Sequence, residues 1–298
     1  MKNICKNAWM RNIVTCVVLS MLLMFTNVNA SEGSKRCNSS PLKLYQPSPA
    51  ELERDKIYAL LAYAVVYKDW QTDNRRGYNI GSILVDPSQD PEHQLVCWAR
   101  NSVGVTRNAT QHGEVRLLTN YLANAGVRSA KGLKLYTTLE PCAMCSGMMT
   151  LVSLQTSIYG QTDPRFGQVM ERLALDSHTL PEGHCPYPRG VQSVAAQVEI
   201  RRQLEEAYRA AGMPNITNWL AGEEARSIFE QAAAELESYQ VQFDENSNVV
   251  ERTREFLATV PSQYTTLPYT HACEAPWVQQ EGVFSLRKIR EWVKRWLQ

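Results

Sequence analysis

His112-Gly113-Glu114 and, 27 residues after Glu114, Pro141-Cys142-Ala143-Met144-Cys145 are the residues of this 298-residue chain whose types and spacing could do chemistry together. One imidazole and two thiolates can hold a borderline-soft ion such as zinc in three of four tetrahedral positions, leaving the fourth open for water. That open position separates a catalytic metal from a structural one, and water bound there ionises near pH ~7. A neighbouring carboxylate, Glu114, then takes the water's proton and returns it to a leaving group. Neither half of the pattern carries this alone. His-x-Glu pairs occur by chance, and one Cys-x-x-Cys divides among redox dithiols, structural zinc and coincidence. The second Cys-x-x-Cys that a Cys₄ zinc would need is absent from the sequence.

The elements that must position these residues are legible nearby. Leu133-Lys134-Leu135-Tyr136-Thr137-Thr138-Leu139 predicts a strand, being apolar, aromatic and β-branched without Gly or Pro. Pro141 follows, where it can open a helix at its first position, with Cys142 and Cys145 at i,i+3 in the first turn. The positive end of that helix dipole favours thiolates. Glu114 to Leu122 carries apolar residues at 115, 118 and 122, which predicts a helix with one inward stripe. His112 and Glu114 fall at its start, and their spacing of two does not by itself bring both to one metal.

His-x-Glu followed by Pro-Cys-x-x-Cys is the signature of zinc deaminases. Leu135-Tyr136-Thr137-Thr138-Leu139-Glu140-Pro141-Cys142-Ala143-Met144-Cys145 resembles the zinc motif of tRNA adenosine deaminases in the cytidine-deaminase-like superfamily. The resemblance runs from about Asn101 to Gly167. It implies an α/β fold, a three-layer α/β/α arrangement around a mixed five-stranded sheet. It also implies one Zn²⁺ held by His112, Cys142 and Cys145, with Glu114 as proton shuttle for a zinc-bound hydroxide nucleophile. Asn101, eleven residues before His112, is similar to the family's substrate-contacting Asn. Ile158-Tyr159-Gly160-Gln161-Thr162-Asp163 resembles the strand and turn whose Asp lies beside the bound nucleotide. Asn79 to Val85 is similar, less specifically, to the first strand. Gly113 stands where the family usually has Ala, small enough to keep the substrate site. Glu223 to Glu237, comparable to a basic terminal helix of the tRNA enzymes, is acidic here and would repel a phosphate backbone.

Residues 1–30 point elsewhere. Lys2, Lys6 and Arg11 precede an apolar run, Ile13 to Phe25, and then Val28-Asn29-Ala30, a small-residue cleavage site before Ser31. The run is shorter than the ~20 residues of a membrane-spanning helix, so it predicts a signal peptide and a secreted or periplasmic protein; an uncleaved anchor is the alternative. The chain has 31 basic and 30 acidic residues; without residues 1–30 it has 28 and 30, net −2. That balance is no footprint for a polyanion. Setting aside Cys5, Cys16 and the zinc pair leaves Cys37, Cys97, Cys185 and Cys273, with three connectivities open. Cys97 reads as a buried thiol in a strand, and Cys185 with Cys273, both in Pro-containing loops, as the better pair.

Residues 31–47 read as a linker, 48–240 as the deaminase domain and 241–298 as a C-terminal helical extension. Ser48-Pro49-Ala50-Glu51 forms a capping box for a helix to about Trp70, with Ile57, Leu60, Leu61, Ala64 and Val65 on one face. Residues 164–192 read as an irregular insert, where His184-Cys185, two adjacent ligands lacking sequence partners, reads as loop. Helices are predicted near 249–259 and at 286–297, the latter with a basic face. Three functions follow. Favoured is an exported hydrolytic deaminase acting on a small-molecule nucleobase, nucleoside or nucleotide. Second is a nucleic-acid editing enzyme or secreted effector, and third a non-catalytic zinc-stabilised module. A homodimer is left open.

Overall fold

The computed structural model describes Cys37 and residues 44–263. Residues 1–30, Cys273 and the helix expected at 286–297 lie outside the described residues. No described helix is long and apolar enough to cross a membrane.

A five-stranded sheet runs in the order β2-β1-β3-β4-β5: β1 Gly81–Val85, β2 Leu95–Arg100, β3 Lys134–Leu139, β4 Thr156–Gln161 and β5 Gln192–Ala195. β1 is antiparallel to both neighbours, whereas β3, β4 and β5 are parallel, so the sheet is mixed. Crossovers between parallel strands require long connections. Here they contain α4 Ala143–Leu151, between β3 and β4, and α5 Val169–Leu173, between β4 and β5. The other helices are α1 Pro49–Tyr67, α2 Val103–Thr106, α3 Gly113–Ala125, α6 Glu199–Ala210, α7 Ile216–Trp219, α8 Glu223–Ser238 and α9 Ser247–Thr259.

Side-chain alternation along the strands divides the interior into two cores. Ile83 and Tyr136 face the layer of α1, α6, α8 and α9, while Leu84 and Leu135 face that of α3, α4 and α5. The arrangement is therefore the expected three-layer α/β/α. α1 opens as its sequence predicts: Ser48 Oγ accepts from Glu51 N at 3.2 Å and Glu51 Oε2 accepts from Ser48 N at 2.8 Å. It ends at Tyr67 instead of Trp70, and every residue from Ile57 to Val66 is buried, not one face alone. The reason is tertiary: α8 and α9 cover the side of α1 turned away from the sheet, giving it no solvent face.

The same packing places the acidic stretch. The acidic stretch from Glu223 forms α8, which docks on α1 through Ala225, Phe229, Ala232 and Leu236. It lies in the layer opposite α3 and α4. The disulfide expectation is corrected. Cys185 is bonded to Cys37, 148 positions away, and not to Cys273; Cys97 is a buried thiol in β2. The 164–192 insert is less irregular than expected, since it contains α5.

Candidate active site

Two helix N-termini meet at the carboxyl end of β3. His112 is the N-cap residue of α3, in extended conformation with φ −69° and ψ 154°, and Glu114 lies in the first helical turn. The break from extended to helical backbone between them is what lets a spacing of two serve one site. Cys142 likewise caps α4, so Pro141 stands before the cap and not at the first helical position. The cysteines still share one turn: Ser146 N donates to Cys142 O at 2.9 Å, closing it.

His112 Nδ1 lies 3.6 Å from each of Cys142 Sγ and Cys145 Sγ, and the sulfurs are 3.7 Å apart. Bonds of ~2.3 Å to sulfur and ~2.0 Å to nitrogen at tetrahedral angles require edges of about 3.8 Å for S···S and about 3.6 Å for S···N. The triangle therefore fits zinc, and its chemistry, two sulfurs and one imidazole, fits one Zn²⁺ per chain with a position left over. The hydrogen bond from Cys145 pulls Cys142 down to about 4 despite burial, with His112 helping. Cys145 is pushed up by sharing that bond and by burial.

Glu114 is buried, and burial raises its carboxyl above the usual range. Its Oε1 accepts from Thr137 Oγ1 of β3 at 3.1 Å, while Oε2 is buried with no hydrogen-bond partner among the described residues. Asn101, fully buried at the end of β2, shows the same asymmetry. Its Oδ1 accepts from Tyr78 N and Val103 N, both at 3.2 Å, and Nδ2 has no partner among the described residues. A buried unpaired polar group costs ~1–3 kcal/mol, a cost that a polar group of a substrate would relieve at either atom. Gly113 packs against β1 and β2: a Cβ there would meet Ser82 Oγ at 3.2 Å and Ala99 O at 3.3 Å.

Asp163, which the resemblance sets beside a bound nucleotide, is buried in the loop after β4. Its Oδ1 accepts from Arg165 N and Phe166 N at 2.9 and 3.0 Å, building the loop after β4. Glu140, two residues before Cys142, binds the same loop: Oε2 accepts from Asp163 N at 3.0 Å and Oε1 from Gln168 N at 2.7 Å. Gly167 permits this approach, since its Cβ would fall 2.1 Å from Glu140 Oε2. The zinc motif and the 163–168 loop are thus one rigid unit, which sequence reasoning missed. Thr137 and Glu140 carried no signal beyond lying inside the motif. Arg76 was also missed. Fully buried, it pairs with Asp69 Oδ2 at 2.7 Å and donates from Nε to Asn101 O at 3.2 Å, fixing the backbone of that Asn.

Residues 54–161 match the cytidine and deoxycytidylate deaminase zinc-binding region. The tRNA-specific adenosine deaminase 2 of Xenopus laevis is 33% identical over 96 residues, 30% of this chain and 55% of that protein. The tRNA-specific adenosine deaminase of Aquifex aeolicus is 29% identical over 107 residues, 36% of this chain and 71% of the relative. The chain thus spans little more than half the length of the frog protein. A solved structure from studies of A-to-I editing by tRNA:A34 deaminases overlays with a TM-score of 0.36 at 22% identity, covering 46% of this chain and 95% of its own. Residues 54–161 are therefore similar to the zinc-binding region of cytidine and deoxycytidylate deaminases, with a motif similar to that of tRNA adenosine deaminases.

Proposed function

We propose that this protein hydrolytically deaminates the exocyclic amine of a nucleobase, and that the base is an adenine carried in RNA. The observation that carries the reaction is the juxtaposition of the His112–Cys142–Cys145 triangle with the adjacent Glu114 carboxylate, whose second oxygen is buried and unpaired. Zinc, held by His112, Cys142 and Cys145, would supply Lewis acidity and lower the pKa of a water to near ~7.

The chain's own residues do the rest. Thr137 holds Glu114 Oε1 and so orients the carboxylate, leaving Oε2 to take a proton from the attacking water. Burial strengthens Glu114 as a base, and the same oxygen then protonates the departing amine. Water adds at the carbon, the carbon–nitrogen bond breaks, ammonia leaves and a carbonyl remains. Asn101 Nδ2 is the buried donor available to an acceptor on the base or its sugar, because Oδ1 is already occupied by two backbone amides.

Two features support an RNA-borne adenosine. Curated relatives with this motif are tRNA-specific adenosine deaminases. The rigid loop tied to Glu140 presents Arg165, exposed, beside Phe166, 63% exposed. An exposed ring next to a cation suits a flanking base, a stacking contribution of ~1–3 kcal/mol. The acidic α8, which had argued against a polyanion, lies in the opposite layer. A free nucleoside is the second reading, favoured by the leader-like residues 1–30 and the export they imply. The test is ammonia release from free bases, nucleosides and a tRNA anticodon stem-loop at physiological salt. A kcat/KM at least a hundredfold higher for the stem-loop supports RNA; an equal or higher value for a nucleoside overturns it.

A further inference from the structure

Outside the candidate active site, ligand-type side chains from distant parts of the sequence meet at the loop that follows α5. Cys37 and Cys185 are disulfide-bonded with Cα atoms 5.4 Å apart. Cys37 Sγ lies 3.9 Å from Asp176 Oδ1, which also contacts His178 Nδ1 at 2.5 Å. The candidate ligand atoms of Cys37, Asp176 and His178 all lie within 4.8 Å of one another. The loop is closed before any metal is considered: Ser177 N donates to His184 O at 3.0 Å and His184 N to Ser177 Oγ at 3.1 Å. That closure keeps Asp176 and His178 beside Cys185. An exposed Asp–His pair alone is ordinary surface chemistry, but here Cys37 Sγ adjoins it, with Cys185 Sγ bonded to Cys37.

We propose that, once the Cys37–Cys185 bond is reduced, Cys37, Cys185, Asp176 and His178 form a second zinc site, separate from His112, Cys142 and Cys145. Two thiolates, one imidazole and one carboxylate make four ligands, the closed tetrahedral set of a structural zinc. A disulfide sulfur is a poor ligand, so the bond and the metal exclude each other; the thiolate is the metal-binding form. A thiol reductant supplies two electrons and two protons, the S–S bond breaks to two thiols, and the reductant leaves as its own disulfide. Zinc binding then releases the two thiol protons to solvent. The sulfurs must separate to about 3.8 Å, which side-chain rotation on Cα atoms 5.4 Å apart can supply.

The site would preserve a tether under both redox conditions. Leu175, immediately before Asp176, lines with Glu140, Tyr159 and Arg172 a cavity of about 350 Å³ beside the zinc motif. The disulfide ties the chain next to this rim to residue 37 when oxidised, and zinc does so when reduced.

The experiment measures zinc per chain by elemental analysis of the full-length protein after anaerobic exchange into zinc buffer and gel filtration. One sample keeps its disulfide and the other is treated with the non-chelating phosphine TCEP, which carries off the oxygen of one water as its oxide. One zinc is expected for the oxidised protein and two for the reduced. The Cys37→Ser/Cys185→Ser double variant should bind one under both conditions and keep its deamination rate, showing that the first site and the fold survive. In the reduced protein, His178→Ala and Asp176→Asn should each weaken only the second zinc, by at least tenfold. A reduced wild type that stays at one zinc, or a double variant that still takes up two, overturns the proposal without touching the deaminase assignment.

Discussion

Glu114→Gln should abolish turnover while leaving the metal site and the fold in place. Glutamine has the same shape, and its carbonyl oxygen can accept from Thr137 Oγ1 as Glu114 Oε1 does at 3.1 Å. What changes is the partnerless Oε2, replaced by an amide nitrogen that cannot take a proton. General acid–base catalysis contributes about 10²–10⁴-fold, so the barrier should rise by ~3–5 kcal/mol. Stability should move the other way or not at all. Burial already disfavours the charged carboxylate, as its raised pKa shows, and a neutral amide relieves that penalty. A change below ~1 kcal/mol corresponds to roughly 2–4 °C in Tm for a domain of this size. The assays are ammonia release under saturating substrate, zinc content by elemental analysis and a thermal melt on one preparation. Turnover within threefold of wild type would refute the proton-shuttle role. Loss of zinc together with activity would show that Glu114 is a ligand instead.

Gly167→Ala places a methyl 2.1 Å from Glu140 Oε2 and should cost about 1–3 kcal/mol while lowering kcat/KM, because the loop bound to the zinc motif must shift; unchanged Tm and kinetics would refute that coupling. Gly113→Ala meets Ser82 Oγ and Ala99 O at 3.2–3.3 Å, and a helix start gains from Ala, so stability should change by less than ~1 kcal/mol with activity retained. A fall of more than tenfold in turnover would contradict it. Arg76→Met strands the buried Asp69 carboxylate and should destabilise by about 3–5 kcal/mol, toward the lower figure because Arg100 lies 3.5 Å from the same oxygen; a melt unchanged within 2 °C would exclude the role. If residues 1–30 are an export signal, protein recovered outside the cytoplasm should begin at or near Ser31, whereas an intact Met1 in the membrane fraction would favour an anchor.

The sequence alone determined the chemistry and the elements that bear it. Zinc accepts few donor sets, so His112, Cys142 and Cys145 could be picked out by type and spacing without any coordinates. The strand at 134–139, the capping box at Ser48 and Glu51, and the helix after His112 were legible because strand composition, capping and amphipathic period are local properties. Tertiary structure decided what depends on residues far apart in the chain. Cys185 pairs with Cys37 because the fold brings them to a Cα separation of 5.4 Å, and no local composition encodes that distance. α1 is buried all round because α8 and α9 fold back over it. Glu140 and Asp163 hold one loop through backbone amides, a use of carboxylates that sequence cannot distinguish from substrate contact. The resemblance named Asp163, and only the fold shows its Oδ1 accepting from two amides of its own turn.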